Sequence, residues 1–242
     1  MKYSKIIATV LAAALIFSAA GCKSKNVDEK SEGVMTYAEY VAAKMDSEVV
    51  VEAYVQAKQS YYAEKSTATI YTQDKEGAYF LYNASCTKDV YDKLVPGTKI
   101  KVTGYKAEWA GEVEITDAKI EILDGKYIAK PLDVTSKLST PELINYQNQF
   151  VSFNEMTVEP SADGKAFLYN WDGSGSQGND LYFNVSKDGK KYTFVVESYL
   201  CDKDSEVYKT VENLKVGDKV NMEGFLYWYE GVNPHITSVI VK

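Results

Sequence analysis

The stretch GTKIKVTGYKAEWAG at residues 97–111 returns later in the chain as GDKVNMEGFLYWYEG at residues 217–231. Aligned without gaps, Gly97/Gly217, Lys99/Lys219, Gly104/Gly224 and Gly111/Gly231 are identical. Apolar or aromatic character is kept at Ile100/Val220, Val102/Met222, Tyr105/Phe225 and Trp109/Tyr229. The apolar positions alternate, as in a strand buried on one face, and the glycines sit where turns or close backbone approaches fall. A chain that repeats a hairpin in this detail is constrained to build one small architecture twice.

The correspondence extends upstream. Ala78 to Cys86 and Thr193 to Cys201 are strand-like runs that both end in cysteine. Each leads into a segment of helical spacing, Asp89 to Leu94 and Asp204 to Leu214, and then into the repeated hairpin and a last strand, Val113 to Leu123 or Ile236 to Val241. Val49 to Val55 and Phe150 to Val158 are rich in strand formers. Each follows a helix candidate: Thr36 and Glu39 have capping-box spacing, and Thr140-Pro141 puts a cap before a proline at the first helical position. Both halves therefore read helix, strand, strand, strand, helix, strand, strand.

Five strands with a helix between the third and fourth is the order of the OB-fold, a small Greek-key barrel. A β-sandwich with a stray helix is the competing arrangement. The expected fold class is all-β with short helices, as two tandem five-stranded OB-like barrels at 35–125 and 139–242, joined by a linker at 126–138. In this respect the chain resembles the tandem OB-like domains of secreted bacterial lipoproteins. The halves differ in the first barrel loop. In the first half it is Gln59 to Lys65; in the second it expands through Glu159–Lys165, the apolar run Ala166–Trp171 and the glycine-rich Asp172–Asp180. Asp188-Gly189 then marks a tight turn.

The first residues carry Lys2 and Lys5, an apolar run from Ile6 to Phe17, and small residues leading to Cys22. This is the layout of a signal peptide, at 1–21, and too short to span a bilayer as a helix. Ala19-Ala-Gly-Cys22 resembles the lipobox of bacterial lipoproteins. That resemblance implies a diacylglyceryl group on Cys22, a flexible tether over 22–34, and a location on the outer face of the cell membrane.

OB-folds bind ligands on the face of strands two and three and in the loops joining strands one–two and four–five. Trp171 falls beside the first of those loops; Tyr105, Trp109, Tyr227, Trp228 and Tyr229 fall in or near the second. These six are the candidate ligand-binding residues, as stacking platforms or as cement between the barrels. All 27 basic residues are Lys and the formal net charge is −7. An acidic chain without Arg argues against a nucleic-acid partner and for an envelope glycan, peptide or protein; an OB-fold protein binding single-stranded nucleic acid at the cell surface is the alternative. Asp172–Asp180 lacks the ligand pattern of a calcium loop, and His235, Cys86 and Cys201 lack zinc spacing. No cofactor is expected. With one histidine and no acid–base constellation beyond the strand-borne Glu112 and Glu114, the expectation is a binding protein and no enzyme. Cys86 and Cys201, at equivalent strand ends, are expected as unpaired thiols.

Overall fold

The structure, a computed structural model, describes residues 30–162 and 164–242. Cys22 and the signal segment lie outside the described residues. No helix among the described residues is long and apolar enough to cross a membrane.

The first barrel begins with α1 (Tyr37–Ala42), followed by β1 (Glu48–Lys58), β2 (Thr67–Gln73), β3 (Ala78–Ser85), α2 (Lys88–Lys93), β4 (Thr98–Trp109) and β5 (Glu112–Lys126). The strands close in the order β1-β2-β3-β5-β4 back to β1. Every pairing is antiparallel except β3 with β5. The Thr36–Glu39 capping box is present in full. At the other end of α1, the Lys106 ammonium donates to the carbonyls of Tyr40, Val41 and Ala43 at 3.0, 2.9 and 3.0 Å. A six-residue helix is below the length that is stable alone, and these two caps together with the burial of Tyr40 hold it.

After β6 (Leu132–Asp133) come two 3₁₀ turns, at 135–137 and 141–146, then β7 (Phe150–Glu159), β8 (Phe167–Tyr169), β9 (Leu181–Lys187), β10 (Lys190–Val196), α3 (Glu206–Glu212), β11 (Lys219–Phe225) and β12 (His235–Val241). The sheet runs β7-β11-β12-β10-β9 and closes through β9 with β7. Again the third and fifth strands, β10 and β12, are the parallel pair. Both halves are closed five-stranded barrels of OB topology. The Pro141 helix is 3₁₀ with no side-chain cap from Thr140. The segment 126–138 is tied to the second barrel: Leu132 pairs with Val151, and Val134 and Leu138 are buried in its core. Asp188 and Gly189 both have positive φ, 50° and 76°, as a type I′ turn requires.

The repeated glycines have a backbone cause. Gly97 and Gly217 stand at φ 92° and 96°, and their N–H groups donate to the carbonyls of Val55 and Val158 in the first strand of each barrel. Gly104 and Gly224 sit at register shifts where neighbouring backbone crowds in. A Cβ on Gly104 would lie 2.7 Å from the Thr116 carbonyl oxygen, and one on Gly224 would lie 2.2 Å from that of His235.

Each barrel has its own apolar core. A third cluster joins them: Tyr71 and Phe80 from β2 and β3 pack on Phe225, with Phe150, Leu200 and Tyr227 around them. Tyr71 stacks on Phe225 at a 4.4 Å centroid distance, and its hydroxyl lies 2.5 Å from Nδ1 of His235. The barrels are thus joined by buried rings, whose apolar area holds them against each other. Cys86 and Cys201 are free thiols, and burial pushes the Cys201 thiol up to about 12.

Candidate functional site

The seam is organised by the two copies of the repeated hairpin, which meet at their tips. Ala110 and Gly111 turn the first with φ 52° and 90°. Glu230, the counterpart of Ala110, donates its backbone N–H to the Ala110 carbonyl at 2.8 Å. Trp109 and its counterpart Tyr229 lie with ring centroids 5.1 Å apart, 56% and 45% exposed. The Trp228 ring covers Gly111, where a Cβ would stand 3.0 Å away. Tyr227 turns inward and stacks on His235 at 4.2 Å with Phe80 at its edge. Of the six sequence-derived aromatics, the structure brings four to one place: Trp109 and Tyr229 facing outward, Tyr227 and Trp228 packed beneath. Tyr105 is exposed on β4, and Trp171 is 77% exposed in the loop before β9; neither lines the cavities of the seam.

Two adjoining cavities open on the seam, and both are lined by Gln59. The larger, about 570 Å³, lies between the first loop of barrel one and β3, over buried Thr69 of β2, and is lined by Tyr61, Tyr62, Tyr82 and Tyr199. The smaller, about 260 Å³, lies against β9 and β10: Asp180, Tyr182, Glu197, Tyr229 and Asn233. Together with Trp109 they form a run of exposed or half-exposed rings crossing from one barrel to the other. Tyr62, Tyr82, Tyr182 and Tyr199 are not among the tryptophan-centred candidates. The signal for two of them was present, because Tyr61-Tyr62 sits in the first barrel loop and Tyr82 on strand three. Tyr199 belongs to the other barrel and reaches the cavity only through the seam, where Ser60 N–H donates to its carbonyl at 2.8 Å.

The charges on this face are sparse. Lys65 is the cation lining the larger cavity. In the smaller, burial, with the Asp180 charge adding to it, raises the Glu197 carboxyl to about 7, so it gives up its charge far more readily than an ordinary carboxylate. Burial lowers His235 to about 3, so it is neutral and can accept the Tyr71 hydroxyl proton at Nδ1. Glu112 and Glu114, which the sequence places on a strand among exposed acids, are both buried. Trp228 N–H donates to Oε2 of Glu112 at 2.9 Å across the seam, and burial pushes that carboxyl up to about 9. No group of three or more His, Cys, Asp or Glu able to hold a metal occurs among the described residues. Asp172 instead accepts from the backbone and hydroxyl of Ser174 at 3.0 and 2.7 Å.

No family model matches the chain, and no curated protein matches it. Solved structures do. A tetrameric p202 HIN2 structure is 12% identical with TM-score 0.34, over 82% of this chain and 96% of that one. A murine DNA binding protein bound with double-stranded DNA is 10% identical with TM-score 0.38, over 80% and 94%. A replication protein A heterotrimer bound to single-stranded DNA is 11% identical with TM-score 0.31, over 81% and 49%. The expectation against a nucleic-acid partner is corrected at this point, since two of these three are DNA complexes. Its physical weakness is that net charge averages the whole surface, whereas a ligand feels the charges within about 10 Å of the face it meets.

Proposed function

We propose that this chain is a non-enzymatic binding protein, held on the outer face of the cell membrane by lipid on Cys22, whose seam takes single-stranded nucleic acid. The carrying observation is the run of rings across the two OB barrels: Tyr82 and Tyr182 on strand three and strand two of their barrels, with Tyr62, Tyr199, Tyr229 and Trp109 from the adjoining loops and hairpin tip. Bases stack on such rings whatever their sequence, each contact contributing about 1–3 kcal/mol. With Lys65 as the lining cation, the ligand is gripped by its bases more than by its phosphates. The readiness of Glu197 to give up its charge lowers the repulsion in the smaller cavity.

The test is a titration of fluorescein-labelled oligothymidylate followed by anisotropy, at several salt concentrations. Saturable binding is expected, with a log–log salt slope of about −0.7, the value for one neutralised phosphate on a single strand. Tyr62→Ala, Tyr82→Ala and Tyr199→Ala should each weaken it by about fivefold or more. Binding that no ring substitution alters sinks the proposal. A second reading, an envelope glycan, is favoured by Asp180, Glu197, Asn233 and Gln59 beside Tyr229, since carboxylates and amides next to a ring match sugar hydroxyls. It predicts binding with a salt slope of zero and no competition from oligothymidylate.

A further inference from the structure

The smaller cavity of the seam differs in kind from the ring track beside it, because strand ends gather polar side chains there. Asp180 immediately precedes β9 and Glu197 immediately follows β10, and the register that sets Leu181 opposite Val196 brings the two residues next to each other. Asn233 joins them from the segment before β12, and Gln59 from the end of β1 in the other barrel. Tyr182 and Tyr229 supply the rings. Burial first, and then the charges of Asp180 and Glu197, raise the Tyr182 hydroxyl, so these three groups lie within reach of one another. At about 260 Å³ the cavity is smaller than the roughly 300–1,000 Å³ of sites for drug-sized molecules, and it suits a single ring.

The two carboxyls differ in what they can offer a guest. Glu197 is 9% exposed; its Oε1 accepts from Tyr199 N–H at 3.2 Å, and its Oε2 is sealed from solvent. No guest reaches that second oxygen. Asp180 is half-buried, and its Oδ1 accepts from the N–H and the hydroxyl of Ser198 at 2.8 and 2.7 Å, which holds the carboxylate in orientation. Its Oδ2 has no donor among the described residues and is not one of the atoms that burial seals off, so it is the acceptor a guest meets. No lysine lines the cavity to neutralise it. The half-buried amides of Gln59 and Asn233 add N–H donors. A carboxylate matches the exocyclic amino group of cytosine, whose neighbouring N3 and O2 can accept from an amide. Thymine has one ring donor, N3–H, set between two carbonyl oxygens that the same carboxylate repels.

We infer that the smaller cavity selects a base with an exocyclic amino group over thymine, the amino group donating to Oδ2 of Asp180 while the base lies against Tyr182 and Tyr229. The inference rests on the nucleic-acid reading of the seam and adds to it one position at which the ligand's sequence counts. The test compares fluorescein-labelled oligodeoxycytidylate with oligothymidylate of equal length, by anisotropy at neutral pH on the full mature chain. Both are pyrimidines of similar size, so the comparison isolates the base edge. The cytidylate should bind about tenfold more tightly, the worth of one hydrogen bond to a charged acceptor. Asp180→Asn keeps an Oδ1 for the Ser198 donors and turns an amide NH₂ towards the cavity, so it should reverse the order of the two oligonucleotides with little change in Tm. If the variant folds poorly, the wild-type comparison decides alone. Equal affinities in the wild-type chain, tighter thymidylate, or a cytidylate preference that survives Asp180→Asn overturns the base selection and leaves the ring track standing. Failure of both oligonucleotides to bind overturns the reading of the seam, and this inference with it.

Discussion

Replacing Glu112 by Gln should stabilise the protein, by an amount that grows with pH. In the folded chain this carboxyl is fully buried and holds its proton up to about pH 9, against an ordinary value of 4.5. In the unfolded chain it is ionised at neutral pH. Folding must therefore place a proton on it, at about 1.36 kcal/mol per pH unit above 4.5, or about 3 kcal/mol at pH 7 and under about 1 kcal/mol at pH 5. Because the folded value is the raised one, the stability is fully present below pH 4.5 and is lost as pH climbs towards 9. Glutamine has no proton to find. Its oxygen can still accept from Trp228 N–H, and its amide can donate to the vacant Asn148 oxygen. The assay is thermal unfolding of both proteins from pH 5 to 8.5. With a domain pair of this size, about 3 kcal/mol corresponds to a Tm gain of about 6–12 °C at pH 7. The gain should shrink almost to nothing at pH 5. Parallel Tm profiles, or a less stable Glu112→Gln at pH 8, would refute the reasoning, for Glu112 would then be charged or hydrated in the fold.

Four further outcomes are expected. Gly224→Ala should lower stability by about 2–3 kcal/mol or more, since its Cβ would stand 2.2 Å from backbone that cannot retreat cheaply, and urea unfolding measures this. Lys106→Met should destabilise α1 by removing the ammonium that three carbonyls at its end share, seen as faster amide exchange at Ala42 and Ala43. The His235 ring should show no NMR titration between about pH 8 and pH 4.5, because its neutral form is held down to about 3. Cys86 and Cys201 should resist alkylation in the native protein and react after denaturation without a reductant; a disulfide would leave them unreactive in both states.

What could be read in the sequence follows from what is local. The capping box at Thr36, the Asp188-Gly189 turn, the alternation in β4 and β11 and the glycines at 97 and 217 are each decided by near neighbours in the chain. A pattern of residue types reports these faithfully, and two copies reported them twice. The strand order followed, and with it both barrels. Less legible was whatever depended on a distant partner. Glu112 and Glu114 look like the outward positions of an acidic strand until the second barrel buries them. Val134 and Leu138 look like a linker until β6 pairs with β7 and carries them into a core.

The aromatic hairpins illustrate the same limit at the site itself. A run such as Leu226-Tyr-Trp-Tyr229 states that apolar area must be covered, yet it does not name what covers it. Here the cover for Tyr227 and Trp228 is His235, Phe80 and Gly111, two of them from the other barrel. Trp109 and Tyr229 stay in the open where equivalent hairpin tips meet backbone to backbone at Ala110 and Glu230, their rings side by side at the edge. Duplication therefore shapes the site as well as the fold. A hairpin that would end one barrel's ring-bearing face becomes, when met by its own copy, the meeting point of a face that runs across two.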